Sequence, residues 1–260
     1  MAMRLLSAGD SNTKLRKSGV NLDGYLIFGL SLRPHAGSGF NVCPHATDGC
    51  IEACVLEHAG MSNVPSVRDA RSRKTQLFFE NREQFLELLN KDLRSAMRQA
   101  QRRALQAVFR LNIASDLPWE KYIDMSEFGD AVFYDYSKYP ASTHRYDNLP
   151  DNYYLTYSYN EQSTARDVNR ILKTGSNVAI VFDTVYNPSQ HDIRALPTTH
   201  KIGRTTHKVI DGDVHDIRLP WHDGRGVIVG LRGKGGRDIV RTGVASGFIV
   251  PTIGGVASLA

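Results

Sequence analysis

The sequence predicts an α/β fold, a partial or open parallel β/α barrel, on three observations. Short apolar runs rich in β-branched and aromatic residues recur along the chain, and most end in polar residues. Helical stretches separate several of these runs, as crossovers between parallel strands require. The second half has few such helices, so a complete eightfold barrel is not expected. No repeat, low-complexity segment or Pro/Ser linker divides the 260 residues, and we read 1–260 as one α/β domain.

The elements follow in order. Residues 1–20 are polar and read as an irregular N-terminal arm. The apolar run 25–32 is the first strand. A loop over 33–49, with Gly37 and Gly39, carries Cys43, and Asp48 is placed to cap a short helix from about Cys50 to Gly60, so 33–60 is a cysteine loop and helix. Pro65 opens a second helical stretch, rich in Arg68, Arg71, Arg73 and Lys74. Residues 83–108 read as a long amphipathic helix, because Phe85, Leu89, Leu93, Ala96, Met97, Ala100 and Ala104 recur at three-to-four spacing. Six more strands follow, over 107–113, 130–136, 153–157, 177–182, 208–210 and 226–231. A short helix over 162–173, ended by Gly175, lies between the third and fourth of these. Ligands of such folds sit at the carboxyl ends of strands.

All three cysteines, Cys43, Cys50 and Cys54, fall within twelve residues as C-x6-C-x3-C. Thiolates gathered so tightly suit a soft metal, and three are one short of a closed four-coordinate site. On a helix through 50–58, Cys50 and Cys54 share a face, with Cys43 entering from the loop. A zinc site needs a fourth ligand. His58 lies ~12 Å along the helix from Cys50 at ~1.5 Å per residue, too far for one ion. His45 is better placed, giving Cys43, His45, Cys50 and Cys54. An iron–sulfur cubane accepts three thiolates as they stand, because it presents separate iron corners and leaves the fourth open. Incidental buried thiols are the third reading, and the clustering of every cysteine argues against it.

Hydrophobic residues at 41% and charged residues at 23% are ordinary for a soluble globular protein. No apolar run reaches the ~18 residues of a membrane span. The opening MAMRLLSAGDSNTKLRKS lacks a signal-peptide core, so a cytoplasmic protein with reduced thiols is expected. An odd cysteine count argues against a disulfide framework. A net charge of +5 permits nucleic acid or a phosphorylated ligand without demanding either.

Asp116, Asp135 and Asp183 stand at or near strand ends, where they could accept a proton or bond a ribose. Asp211-Gly212-Asp213, with Asp216 and Arg218, reads as a turn with an Arg–Asp pair rather than a cation site. The segment 230–236 lacks the order of a phosphate-binding loop and reads as a strand-end loop, with Arg232 and Lys234 free to face an anion. The cluster from Arg68 to Lys74 reads equally as an anion site near the metal or a solvated face. The Arg94, Arg98 and Arg102 stripe reads as solvated outer surface.

Cysteines placed after the first strand and before a helix resemble those of radical S-adenosylmethionine enzymes. Their usual spacing is C-x3-C-x2-C, and their glycine-rich second-strand segment is replaced here by Asn112, Ser115 and Asp116. A resemblance over almost the whole chain is carried by NVCPHATDGCIEAC, ARSRKTQLF, VIDGDVHDIR and GVIVGLRGKG, which are similar to the phage family called gene product 88. Together these imply a phage or prophage protein of the host cytoplasm with a radical-SAM-like barrel. The expectation is a [4Fe-4S] cluster on Cys43, Cys50 and Cys54. S-adenosylmethionine would bind among Asn112, Ser115, Asp116, Asp135, Ser158 and Asp183. The partners would be a small-molecule or nucleotide substrate and an electron donor. No catalytic residue is assigned. The competing expectation is a zinc-stabilised nucleic-acid-binding or interaction protein without catalysis.

Overall fold

Seven parallel strands carry the fold in the computed structural model, which describes residues 3–9, 24–58, 64–185 and 195–252. They are β2 (Tyr25–Leu30), β3 (Gln106–Arg110), β4 (Val132–Ser137), β5 (Tyr153–Ser158), β6 (Asn177–Val185), β8 (Thr205–Asp211) and β9 (Ile228–Gly233). Each matches an apolar run anticipated above. Two short antiparallel strands flank them, β1 (Leu6–Ala8) against β2 and β7 (Thr199–Ile202) against β8. The order β1-β2-β3-β4-β5-β6-β9-β8-β7 makes one open sheet rather than a closed barrel.

Except for the largely exposed β8, the parallel strands read as near-continuous apolar runs because both faces are buried. In β2, Leu26, Phe28 and Leu30 join the main core, while Ile27, out of phase by one, joins a second cluster on the other face. The main core is covered by α3 (Pro65–Glu80) and α4 (Arg82–Arg102). On α4, Phe85, Leu89, Leu93, Ala96 and Ala100 form the buried stripe. Burying each of the Phe and Leu side chains contributes about 1.5–3 kcal/mol. The second face is covered by the chain between β8 and β9, where Ile217 and Leu219 pack on Ile27, Val108, Val132 and Tyr134 just before α6 (Pro220–Asp223).

Four boundaries differ from expectation. The long helix stops at Arg102, not 108, because Ala104 turns left-handed (φ 52°) and Gln106 already pairs in β3. The helix expected from Cys50 to Gly60 is two pieces, α1 (Asp48–Glu52) and α2 (Val55–His58), separated at Ala53 and Cys54, and Gly60 lies outside the described residues. Its cap is Thr47, whose hydroxyl accepts from Cys50 N, and Asp48 is the first helical residue. In the N-terminal arm, Leu6–Ala8 are a strand. The N–H groups of Leu5 and Leu6 donate to Asp92 at 2.7 and 3.1 Å, and Lys74 Nζ donates to Leu5 O at 2.6 Å. Residues 10–20 of that arm lie outside the described residues. The helix expected over 162–173 is α5 (Ala165–Lys173), capped by Thr164 and followed by Gly175 at φ 88°. The last helix, α7 (Arg237–Ser246), packs on α1. Among the described residues, no helix is long and apolar enough to cross a membrane.

Candidate functional site

A cavity of about 320 Å³ opens at the carboxyl ends of the parallel strands, and Cys43, Cys50 and Cys54 all line it. All three thiols are free and half-buried. Each comes from a different local structure. Cys43 sits in the loop, where its sulfur accepts from His35 N at 3.5 Å and its backbone N–H donates to Asn41 Oδ1 at 2.8 Å. Burial pushes its thiol up to about 12, partly offset by the His35 N–H. Cys50 lies in α1. Cys54 sits in the break between α1 and α2, and burial raises its thiol against the pull of the Leu56 and Glu57 N–H groups. The two helical cysteines are therefore not one above the other on a continuous helix.

The strand ends hold this wall in place. Beyond β5, the Glu161 carboxylate accepts from Gly49 N at 2.8 Å and from Thr47 Oγ1 at 2.7 Å, clamping the start of α1. The approach is close enough that a Cβ on Gly49 would stand 2.5 Å from Ser246 Oγ and 3.0 Å from Phe248 Cβ. Beyond β4, Lys138 reaches along the cavity. Its N–H donates to Asp116 Oδ2 at 2.7 Å, and its ammonium donates to Ser158 Oγ at 2.9 Å on the cavity that Cys50 also lines. Burial alone would lower the Lys138 pKa. Cys50, Asp116 and Cys43 outweigh it and the net shift is upward, so the side chain stays an ammonium.

Of the six expected cofactor contacts, Asn112, Ser115, Asp116 and Ser158 line the cavity. The Asn112 side chain is occupied by its own loop. Its Oδ1 accepts from Ser115 Oγ, Leu117 N and Trp119 Nε1 at 2.8–3.0 Å, and its Nδ2 donates to Leu117 O at 2.9 Å. Asp116 also faces Arg145 Nη1 at 3.3 Å. Asp135 does not line the cavity. One residue out of phase with Tyr136, which does line it, its carboxylate instead braces Asn112 N at 2.7 Å and Tyr153 OH at 3.1 Å. Burial pushes Asp135 up to about 7 despite those bonds. Asp183 is likewise away from the cavity and binds the N–H and hydroxyl of Thr252, pinning the C-terminal segment to β6.

The opposite wall is built from charged pairs. Arg232 meets both oxygens of Asp211 at 2.9 Å and Asp213 Oδ2 at 3.2 Å, while Lys234 donates to Asp213 Oδ1 at 2.8 Å. Asp216 pairs with Arg110 and accepts from Tyr134 OH at 3.2 Å. The buried Arg218 faces Asp223 at 3.4 Å. The turn-and-pair reading of the acidic cluster thus describes it, with Arg232, Lys234 and Arg110 as partners in place of Arg218. Sequence reasoning missed Lys138 and Arg110. The signal for Arg110 was a charge in the same phase as Val108 of an apolar strand.

The remaining candidates lie elsewhere. His45 packs edge-on against Tyr139, 4.2 Å between ring centres, and does not line the cavity. The side chain of His58 lies outside the described residues. Among the described residues, no three His, Cys, Asp or Glu side chains gather closely enough to hold a single ion. Arg71 donates to Leu56 O at 3.3 Å and Lys74 to Leu5 O, so both anchor main chain, and burial lowers Lys74 to about 8. Arg68 and Arg73 are exposed, as are Arg94, Arg98 and Arg102.

The family model described as gene product 88 matches residues 4–251. No curated protein and no solved structure matches the chain.

Proposed function

The chain belongs to the gene product 88 family of phage proteins, and we propose that its three cysteines hold a [4Fe-4S] cluster in a radical S-adenosylmethionine-type enzyme. The observation that carries this reading is the cysteine wall. Three free thiols from a loop, a helix and a helix break face one cavity at the carboxyl ends of parallel strands. Cys43, Cys50 and Cys54 all line this one cavity, and a cubane takes three thiolates on separate iron corners. The N–H of His35 on the Cys43 sulfur is the kind of hydrogen bond that tunes such a centre. Metal uptake would displace the protons that burial now holds on Cys43 and Cys54.

When bound, such a cluster supplies an electron for reductive cleavage of S-adenosylmethionine. The chain's own residues hold and orient. Ser115, Asp116, Lys138 and Ser158 offer polar groups to the cofactor, and Asn112 shapes the loop that carries two of them. Leu56, Phe248 and Ile249 keep that end of the cavity apolar and limit water. A small-molecule or nucleotide substrate would meet the Arg232 and Lys234 side of the cavity, and a separate electron donor is required. The host cytoplasm, where thiols stay reduced, is the compartment that fits.

Anaerobic purification and reconstitution test the proposal. The expected product is brown, carries about four irons per chain, loses its colour in Cys50→Ala, and after reduction cleaves S-adenosylmethionine without added substrate. A colourless protein with one tightly held zinc would replace it with the non-catalytic, zinc-stabilised reading. Colour without cleavage would leave a cluster used for structure or electron transfer.

A further inference from the structure

We propose that Lys138 is a positioning residue that sets the reduction potential of the group held by the cysteines, which takes the cluster reading above as its premise. Four cationic side chains line the cavity among the described residues. Three are engaged by carboxylates: Arg110 by Asp216, Arg232 by Asp211 and Asp213, and Lys234 by Asp213. The Lys138 ammonium instead bonds the Ser158 hydroxyl, and it lines the same cavity as Cys43, Cys50 and Cys54. The nearby Asp116 carboxylate is turned to the Lys138 backbone N–H and to Arg145.

The placement is built rather than incidental. Ser137 pairs with Tyr157 between β4 and β5, so the next residues, Lys138 and Ser158, meet at the strand ends beside the cysteine wall. Three thiolates in a largely apolar cavity are costly to bury without a compensating charge. Lys138 supplies one from a fixed point. Each electron added makes the centre more negative, so a fixed cation and an N–H···S bond favour the reduced form and raise the potential.

Redox titration of reconstituted protein, followed by electron paramagnetic resonance, reads this directly. Lys138→Met keeps most of the length of the side chain and removes its charge. Held at the wild-type midpoint, the variant is expected to show an about tenfold lower reduced-to-oxidised ratio, a shift of about 59 mV for one electron. Lys138→Arg should restore most of the wild-type value. Ser158→Ala, which keeps the charge but frees the ammonium, should shift the midpoint the same way by less. It decides the matter if Lys138→Met does not fold or load. Full iron content with an unchanged midpoint in the variant that loads overturns the role of Lys138 alone. Wild-type protein that takes up no iron overturns the cluster reading and this role together.

Discussion

The two walls of the cavity solve opposite problems. On the far wall every charge is already answered, with Arg232 bridging Asp211 and Asp213, Lys234 on Asp213, and Arg110 on Asp216. On the near wall the thiols sit among apolar groups, and burial raises two of them away from ionisation. A pre-paired wall is rigid by itself. A thiol wall with a single ammonium is finished by whatever it binds. The contrast separates residues that keep the cavity open from residues that fill it.

Four substitutions test that division. The largest effect is expected from Cys50→Ala, which should abolish iron uptake while leaving the circular dichroism of the apo chain in place. Retained iron at wild-type stoichiometry would mean that the near wall is not the binding wall. Next is Arg232→Met on the far wall. It takes the guanidinium from Asp213, which is 5% exposed and keeps Lys234 and the residue 232 N–H, and should cost about 2 kcal/mol in denaturant unfolding without changing the iron bound per folded chain. A stable variant with altered iron content would erase the distinction between the walls.

Asp135→Asn comes third and tests the strand that supports both. The folded-state value of Asp135, about 7, lies above its ordinary 3.8, so the folded chain holds the proton more tightly. Its contribution is fully present below about pH 4 and is lost as pH rises through about 7. The slope is at most one proton, about 1.4 kcal/mol per pH unit. The asparagine variant should flatten stability against pH in that window, and an unchanged profile would remove Asp135 as its source. The smallest effect is expected from Glu161→Gln. It weakens the clamp on Gly49 N and Thr47 Oγ1 and should cost about 1.5 kcal/mol. Hydrogen exchange should speed up in α1 and not on the far wall, and uniform acceleration would show that Glu161 does not act locally.

Sequence reading and structure part company where long-range register decides. Six of the seven parallel strands were legible because burial on both faces writes them as apolar runs, and β8 through its short Val209-Ile210 run alone. The edge strands β1 and β7 were not. Only three and four residues long, with Ser7, Thr199, His200 and Lys201, they have the short, polar character of protected edges. The helix α4 was overextended because its apolar spacing runs on into β3, and only the left-handed Ala104 marks the stop. The cysteine cluster was visible in the chain, but the break at Cys54 was not. Asp135 and Asp183 stand near strand ends as expected and still miss the cavity, Asp135 because one step of phase separates it from Tyr136, and Asp183 because it sits at the irregular end of β6 and binds Thr252. Lys138 was hidden for the related reason that its neighbours come from the β4–β5 register rather than from its own segment.

The sheet order has a consequence in time. Strand β9 lies between β6 and β8, although it is the last of the three to be made. During synthesis β1 to β6 can zip together in turn, and the hairpin of β7 and β8 then waits without a berth until residue 233 emerges. Arg232 arrives with β9, and the bridge between Phe182 and Val250 closes later still. Helix α1, which carries Cys50, packs on α7 and brings Gly49 against Ser246 and Phe248, so the near wall too is completed only after β9.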